Sequence, residues 1–332
     1  MSSGADSAWQ PRAALEVLRE RARLYAAIRN FFAARGVLEV DTPTLSHAAV
    51  TDPNIESFST CYVGPGGAAG LPLFLSTSPE FAMKRLLAAG SGPIYQIAHV
   101  FRQGERGARH HPEFSMLEWY RPGFDHIRLM EEVEALLVAI VPALRRSQPA
   151  LRLSYREAMQ RYAGIDCDQA PVSELALCAE RHGILTSAAM ANAGRGVWLE
   201  LLLSEVVEPQ LPAERLVFVD DFPASQAALA RIRAGQPPVA ERFEVYLQGM
   251  ELANGFHELA DAAEQRLRFE ADLACRTEQG QDVVEMDERL LDALAAGLPD
   301  CAGVALGLDR ILMLRTGAAH IDEVLAFPLE RA

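Results

Sequence analysis

Two apolar, β-prone runs joined by a polar, arginine-rich loop restrict this chain more than any other feature. The runs are Ile94-Tyr95-Gln96-Ile97-Ala98-His99-Val100-Phe101 and Phe114-Ser115-Met116-Leu117-Glu118-Trp119-Tyr120. Both are rich in aliphatic and aromatic residues and bounded by Pro or Gly, so both read as strands. The loop between them carries two glycines with Arg106, Arg109, His110 and His111, and Arg102 stands at its entry. Alternation puts Met116, Glu118 and Tyr120 on one face and Ser115, Leu117 and Trp119 on the other. A carboxylate and a phenol are costly to bury without partners, but they suit a pocket for a polar, cationic ligand. Arg102 offers a planar fork of donors suited to a phosphate, and Phe114 an apolar face for an adenine. A hairpin holding a polyphosphate follows. On spacing alone, a surface hairpin with ordinary charged residues fits as well.

Composition bounds the class. The chain has 332 residues, half of them hydrophobic, enough for one large domain or two. No run of ~18 apolar residues occurs, so no membrane span is expected. The opening Met1–Arg12 lacks the basic start and apolar stretch of a secretory signal. Cysteines at 61, 167, 178, 275 and 301 are odd in number and lack C-x-x-C spacing. That favours reduced thiols and a cytoplasmic setting over disulfides or zinc. A formal charge of −14 leaves no global basic footprint for nucleic acid. Lys84 is the only lysine; arginine carries the positive charge.

Along the chain, Leu24, Ala27, Ile28, Phe31 and Phe32 recur at helical spacing, and Gly36 ends that helix. Val37–Val40 then reads as a strand before Asp41-Thr42-Pro43. Gly64–Gly70 is a turn between strands near 56–63 and 72–77; with no Gly-Lys-Ser/Thr after it, it is not a P-loop. Thr77-Ser78-Pro79-Glu80 opens a helix, Ser78 as N-cap and Pro79 at the first helical position. Capping alone would account for Ser78 and Glu80. An amphipathic helix is expected over 125–144, several helices without a catalytic signature over 154–211, and a strand over 215–220.

Residues 242–247 and 250–259 flank Gln248-Gly249, a hairpin turn. Asn254 and Glu258 share a face, whereas Glu251 falls on the opposite face of a regular strand. If both carboxylates serve one site, a bulge or twist must lie between them, with Gly255 the natural place. A solvent-facing Glu251 needs none. A charged helix is expected over 259–274. Near the C-terminus, Cys301–Leu308 is a short strand feeding a helix, and Gly303 and Gly307 let a ligand approach the backbone. Arg310, in the first turn of that helix, could cover the adenine opposite Phe114 and reach a γ-phosphate.

Three segments together resemble the lysyl branch of the class II aminoacyl-tRNA synthetases. Phe101–Arg121, with RHHPEFSMLEWY, is similar to motif 2, whose usual lysyl form is RHNPEFTM. Gly249–Asp261, GMELANGFHELAD, is similar to G-x-E-I-x-N-G-F-x-E-L-x-D, and Gly303–Arg310, GVALGLDR, to motif 3. The helix, strand and proline of 21–43 resemble motif 1, the dimer interface of that family, so a homodimer is implied. The implied fold is an α+β class II synthetase catalytic domain: a mostly antiparallel sheet flanked by helices over 21–332, with a helical insertion roughly at 145–215. Residues 1–20 form a short extension, too few for the anticodon-reading OB domain of lysyl-tRNA synthetases. The resemblance is therefore closest to the truncated paralogues, the elongation factor P–(R)-β-lysine ligase family.

That resemblance implies ATP and Mg2+, with Arg102, Glu251 and Arg310 as catalytic residues and Glu251 holding magnesium. ATP contacts would come from Arg102, Gly104, Glu105, His111, Phe114, Glu251, Leu252, Gly307 and Arg310. The (R)-β-lysine site would use Ser78, Glu80, Tyr120, Asn254, Glu258 and Ala305. Two motif 2 positions depart from the pattern: R-x-E reads Arg102-Gln103-Gly104-Glu105, one residue longer, and His111 replaces the Asn before Pro. Ala305 stands where lysyl synthetases usually have Gly; it either tunes specificity or is a packing choice. The implied reaction forms an aminoacyl adenylate and passes it to a lysine of elongation factor P, with no tRNA substrate and no membrane partner. A minimal lysyl-tRNA synthetase and a catalytically inactive binding protein of this fold are the alternatives.

Overall fold

The structure is a computed structural model that describes residues 9–67, 70–186, 190 and 193–332. Part of the N-terminal extension, two residues of the Gly64–Gly70 turn and part of the helical insertion lie outside the described residues.

Helix α1 (Leu15–Ala33) buries Leu24, Ile28, Phe31 and Phe32 on one stripe, as its spacing predicts. Strand β1 (Leu38–Glu39) follows, and β2 (Leu45–Ser46), β3 (Ser59–Tyr62) and β4 (Leu71–Leu75) make a separate small sheet. Helix α2 (Glu80–Ala88) starts one residue later than expected, and the Ser78 hydroxyl accepts from the Glu80 amide at 3.0 Å. Strands β5 (Ile94–Phe101) and β6 (Glu113–Pro122) form the expected hairpin, Ile94 opposite Tyr120 and Phe101 opposite Glu113. Helix α3 (His126–Ile140) stops short of the expected Leu144, because Pro142 lacks the N–H a helix needs; a 3-10 turn continues it.

The insertion contains β7 (Leu151–Ser154), short α4 (Tyr155–Ala158), α5 (Val172–Arg181) and α6 (Arg195–Leu202). Then come β8 (Val217–Pro223), β9 (Ile232–Arg233), β10 (Val239–Leu247) and β11 (Met250–His257). Asp261 caps α7 (Ala262–Glu278), accepting from the Ala263 and Glu264 amides, so this helix starts later than hydropathy alone predicts. Helix α8 (Glu288–Gly297), β12 (Cys301–Gly307) and α9 (Leu308–Thr316) complete the set.

The main sheet has nine strands in the order β1-β5-β6-β12-β11-β10-β8-β7, with β9 beside β10. Only β1 with β5 and β7 with β8 run parallel. This is the expected mostly antiparallel sheet flanked by helices. One face packs on α1, α3 and α9 through Leu117, Trp119, Val304, Leu306 and Ala253. The other face is covered at two places, by α2 and α8 around Tyr120 and Cys301, and by the insertion around Tyr246 and Val219. The strip between carries the site. No described helix is long and apolar enough to cross a membrane.

Candidate active site

Residues paired across an antiparallel sheet point to the same side. The register therefore lays out one transverse row, Gln96–Glu118–Ala305–Asn254–Glu244, beside a second, Ile94–Tyr120–Gly303–Phe256–Arg242. Both rows lie on the face away from α3. Tyr120, Asn254 and Ala305 thus share one surface, although up to 185 positions separate them in the chain.

The expected route to a common surface for Glu251 and Glu258 needs a bulge, and the strand has one, but not at Gly255. Val245 pairs with Ala253 while Tyr246 pairs with Glu251, which leaves Leu252 as the extra residue. Leu252 and Ala253 both enter the core under the sheet, and Glu251 is returned to the side of Asn254. Gly255 has a different job. A Cβ there would lie 2.4 Å from the Phe243 ring, so glycine lets that ring lie against the strand.

Around Tyr120 the face becomes an acidic pocket. The Tyr120 hydroxyl donates to Glu118 Oε1 at 2.5 Å and Ser78 Oγ donates to Glu118 Oε2 at 2.7 Å. Lys84 Nζ lies 2.6 Å from both Glu80 Oε1 and Glu258 Oε2. Glu118, Glu258 and Lys84 are all buried. Burial, reinforced by Glu80 nearby, pushes Glu118 up to about 7. Burial pushes Glu258 up to about 8, outweighing Lys84. Burial alone would lower Lys84, but Glu258 and Glu80 more than offset it and hold it above its ordinary value. Lys84 is therefore the standing cation, and the pocket's spare protons sit on the carboxylates. The Tyr120 ring and Glu258 meet over Gly303, where a Cβ would lie 2.3 Å from one and 2.5 Å from the other.

At the other end of the strip, the motif 2 loop and α9 meet β11. Arg310 donates to the Glu251 carbonyl at 2.6 Å, lies 3.3 Å from its carboxylate, and donates to His110 Nε2 at 2.8 Å. Burial and the neighbouring Arg310 hold His110 below its ordinary value, consistent with a neutral acceptor. Gly307 sits at the strand end, with Arg310 carbons 3.7 Å from where its Cβ would be. Arg102 lies 5.2 Å over the Phe114 ring. The extra residue of the motif 2 opening is absorbed by Gly104 at φ 83°, a conformation glycine adopts without steric cost, and Glu105 folds back to 3.4 Å from Arg102. His111 is different. Its Nδ1 lies 2.6 Å from the Glu113 carbonyl and its Nε2 accepts from the Leu329 amide at 2.9 Å. Both ring nitrogens are engaged within the chain, so the ring ties the hairpin to the C-terminal segment and has no nitrogen left for a nucleotide.

Several residues escape a reading by motif. Lys84 follows Glu80 by four positions on one helix, a spacing that signals an ion pair. Arg242, Glu244 and Tyr246 alternate along β10; Arg242 donates to Glu244 and to Asn254 Oδ1 (3.2 Å), and Tyr246 donates to Glu244. Asp309 accepts from the Ser115 amide at 2.7 Å and pairs with Arg21 at 2.5 Å, which pins the start of α9 and so Arg310. Near Glu251, burial and then the neighbouring Glu251 and Glu244 push Glu208 up to about 8. Glu251, partly exposed and paired with Arg310, is the carboxylate of this group open to a hard divalent ion such as Mg2+.

Comparison with known proteins agrees with this layout. The family described as tRNA synthetases class II (D, K and N) matches residues 9–331. The chain is similar to the elongation factor P–(R)-β-lysine ligase of Vibrio parahaemolyticus, 52% identical over 96% of this chain and 98% of the relative. It is likewise 52% identical to that of Vibrio cholerae, over 98% and 99% of the two chains. That of Salmonella dublin is 51% identical over 98% of each.

Proposed function

The chain belongs to the class II (D, K and N) tRNA synthetases, and from that premise we propose that it is an ATP-dependent ligase that attaches (R)-β-lysine to elongation factor P. The pocket charge supports this most directly. Glu80, Glu118 and Glu258 face one lysine, so once the two raised carboxyls give up their protons, three carboxylates less one ammonium leave a surplus of two negative charges. A β-lysine brings two ammonium groups. Tyr120, Ser78 and Asn254 supply directed hydrogen bonding beside the acids, and the half-buried Ala305 lies between Glu118 and Asn254, where its methyl shapes the space near the amino group.

In this reading the carboxylate oxygen of (R)-β-lysine attacks the α-phosphorus of ATP and pyrophosphate leaves. Arg102 lies on the same face and neutralises charge gained at the α-phosphate. Phe114 and Arg310 hold the adenine between a ring and a guanidinium, and the backbone at Gly104, Leu252 and Gly307 lines the nucleotide path. Glu251 would hold Mg2+, which neutralises the phosphates when bound. A lysine ε-amine of elongation factor P then attacks the acyl carbonyl, forming an amide and releasing AMP. Catalysis is positioning and electrostatics, without a covalent enzyme intermediate. We place the enzyme in the cytoplasm as a homodimer through the motif 1 region, where Leu38 and Leu45 are exposed.

Intact-mass measurement of elongation factor P, after incubation with the enzyme, ATP and each lysine isomer, tests the reading. The (R)-β-lysyl adduct is expected at one lysine. An unmodified factor, together with charging of tRNA by α-lysine, would overturn it. Arg102→Ala should abolish ATP–pyrophosphate exchange while leaving the unfolding midpoint unchanged, since Arg102 is partly exposed and outside the core; near-normal exchange would remove it from the phosphates.

A further inference from the structure

On the opposite face of the sheet, away from the pocket, three buried ligand-type side chains converge. His126 is the first residue of α3, Glu241 lies on β10 and His257 ends β11. They are 2%, 5% and 4% exposed, and one ligand atom from each lies within 4.8 Å of the others. None serves the ligase chemistry described above.

Their hydrogen bonding is incomplete in a way that points to a ligand. Neither nitrogen of His126 has a hydrogen-bond partner, although the ring is almost wholly buried. A buried imidazole is usually satisfied. His257 Nε2 lies 2.8 Å from Asp300 Oδ1, whereas its Nδ1 faces Glu241 Oε2 at 2.8 Å without the alignment of a hydrogen bond. An imidazole that donates one N–H to a carboxylate and turns the other lone pair inward is the arrangement that orients a metal-binding histidine. Asp221 Oδ1, also buried and without a partner, lies 4.0 Å from His126 Nε2. The competing cations are Arg231, 3.0 Å from Glu241, and Arg233, 3.6 Å from it. Arg231 Nε donates to Glu241 Oε2, the oxygen that faces His257, and Arg233 lies nearest Oε1; both arginines are nearly half-exposed, so their displacement into solvent would free the carboxylate for an ion.

We propose that His126, Glu241 and His257 form a binding site for a divalent first-row transition-metal ion, zinc foremost, with Asp221 or water at the fourth position. Two imidazoles and a carboxylate suit zinc, and tetrahedral bonds of ~2.0 Å set ligand atoms about 3.3 Å apart. Small side-chain rotations within the observed spacing reach that geometry. The ion would tie the start of α3 to the ends of β10 and β11. Glu258 follows His257 directly, so the tie would also steady the floor of the pocket.

The test uses the full chain, stripped with a chelator and dialysed against Zn2+ or Co2+ with excess Mg2+ present to occupy all-oxygen sites. One zinc per chain is expected, and a rise in unfolding midpoint on adding it. His126→Ala and the volume-conserving Glu241→Gln should each weaken uptake at least ~10-fold and abolish the rise. X-ray absorption of the wild-type zinc adduct should show a nitrogen/oxygen shell at ~2.0 Å with outer-shell scattering from two imidazoles; this readout needs no variant. No stoichiometric uptake by the wild type, equal uptake by both variants, or an adduct without imidazole scattering would each overturn the assignment.

Discussion

Gly303→Ala probes the pocket with a single methyl, and the structure decides the sign of its effect. Gly303 has no left-handed backbone angle to defend, so alanine is not strained by conformation. Stiffening the unfolded chain would by itself stabilise the protein by ~0.4–1 kcal/mol. The added Cβ, however, would lie 2.3 Å from Tyr120 Cε1, 2.4 Å from its Cδ1 and 2.5 Å from Glu258 Oε1. The carboxylate end can swing aside. The Tyr120 ring is 2% exposed and packed against α2 and α8, so it must force its neighbours apart. Overpacking of that kind costs ~1–3 kcal/mol, which exceeds the chain-stiffening gain. Displacing the ring also pulls its hydroxyl from Glu118 and moves Glu258 off Lys84, so the amino-acid KM should rise ~10-fold or more, as for loss of a pocket contact. Thermal unfolding and pyrophosphate exchange at varied amino acid read both effects. Gly307→Ala, on the same face of the same strand, is the control: its Cβ would meet Arg310 carbons at 3.7 and 3.8 Å, ordinary contact, and stability should be kept. If Gly303→Ala leaves midpoint and KM unchanged, Tyr120 and Glu258 do not meet over that position.

Amino-acid binding should release protons. The two ammonium groups of the ligand favour ionised carboxylates and lower their pKa, so affinity should rise with pH through the free-state values of about 7 for Glu118 and about 8 for Glu258 and level off above them. Calorimetry in buffers of differing ionisation heat checks this, and affinity that falls over that window contradicts it. Lys84→Met removes the buried cation from between Glu80 and Glu258. It should destabilise by ~3–5 kcal/mol at alkaline pH and less at acid pH, where the carboxylates take up protons; a pH-independent loss would argue against the pairing. Ala305→Gly should move adenylation preference toward α-lysine by ~10–200-fold, a methyl's worth of discrimination. A ratio of the two isomers' efficiencies within about twofold of wild type, below that ~10-fold floor, would reduce Ala305 to packing.

What the sequence determined by itself was local. Alternation marked β5 and β6, helical spacing marked α1 and α3, and three motifs in order identified the family and the polar residues of the strip. Chemistry that depends on one element, such as Glu118 beside Tyr120 or Arg310 at the start of α9, was legible because strand and helix periods fix which side chains share a face. Tertiary structure decided which faces meet. The bulge fell at Leu252 because β10 and β11 change register there, while Gly255 is glycine because Phe243, from a neighbouring strand, needs its space. His111, matched to a nucleotide contact by its place in a motif, instead joins the hairpin to Leu329, a partner 218 residues away. Lys84 and Glu258 are 174 positions apart, and no spacing predicts that the chain's one lysine will be buried between two carboxylates. Residues that act through long-range register leave no local period behind, so only the assembled sheet brings them together.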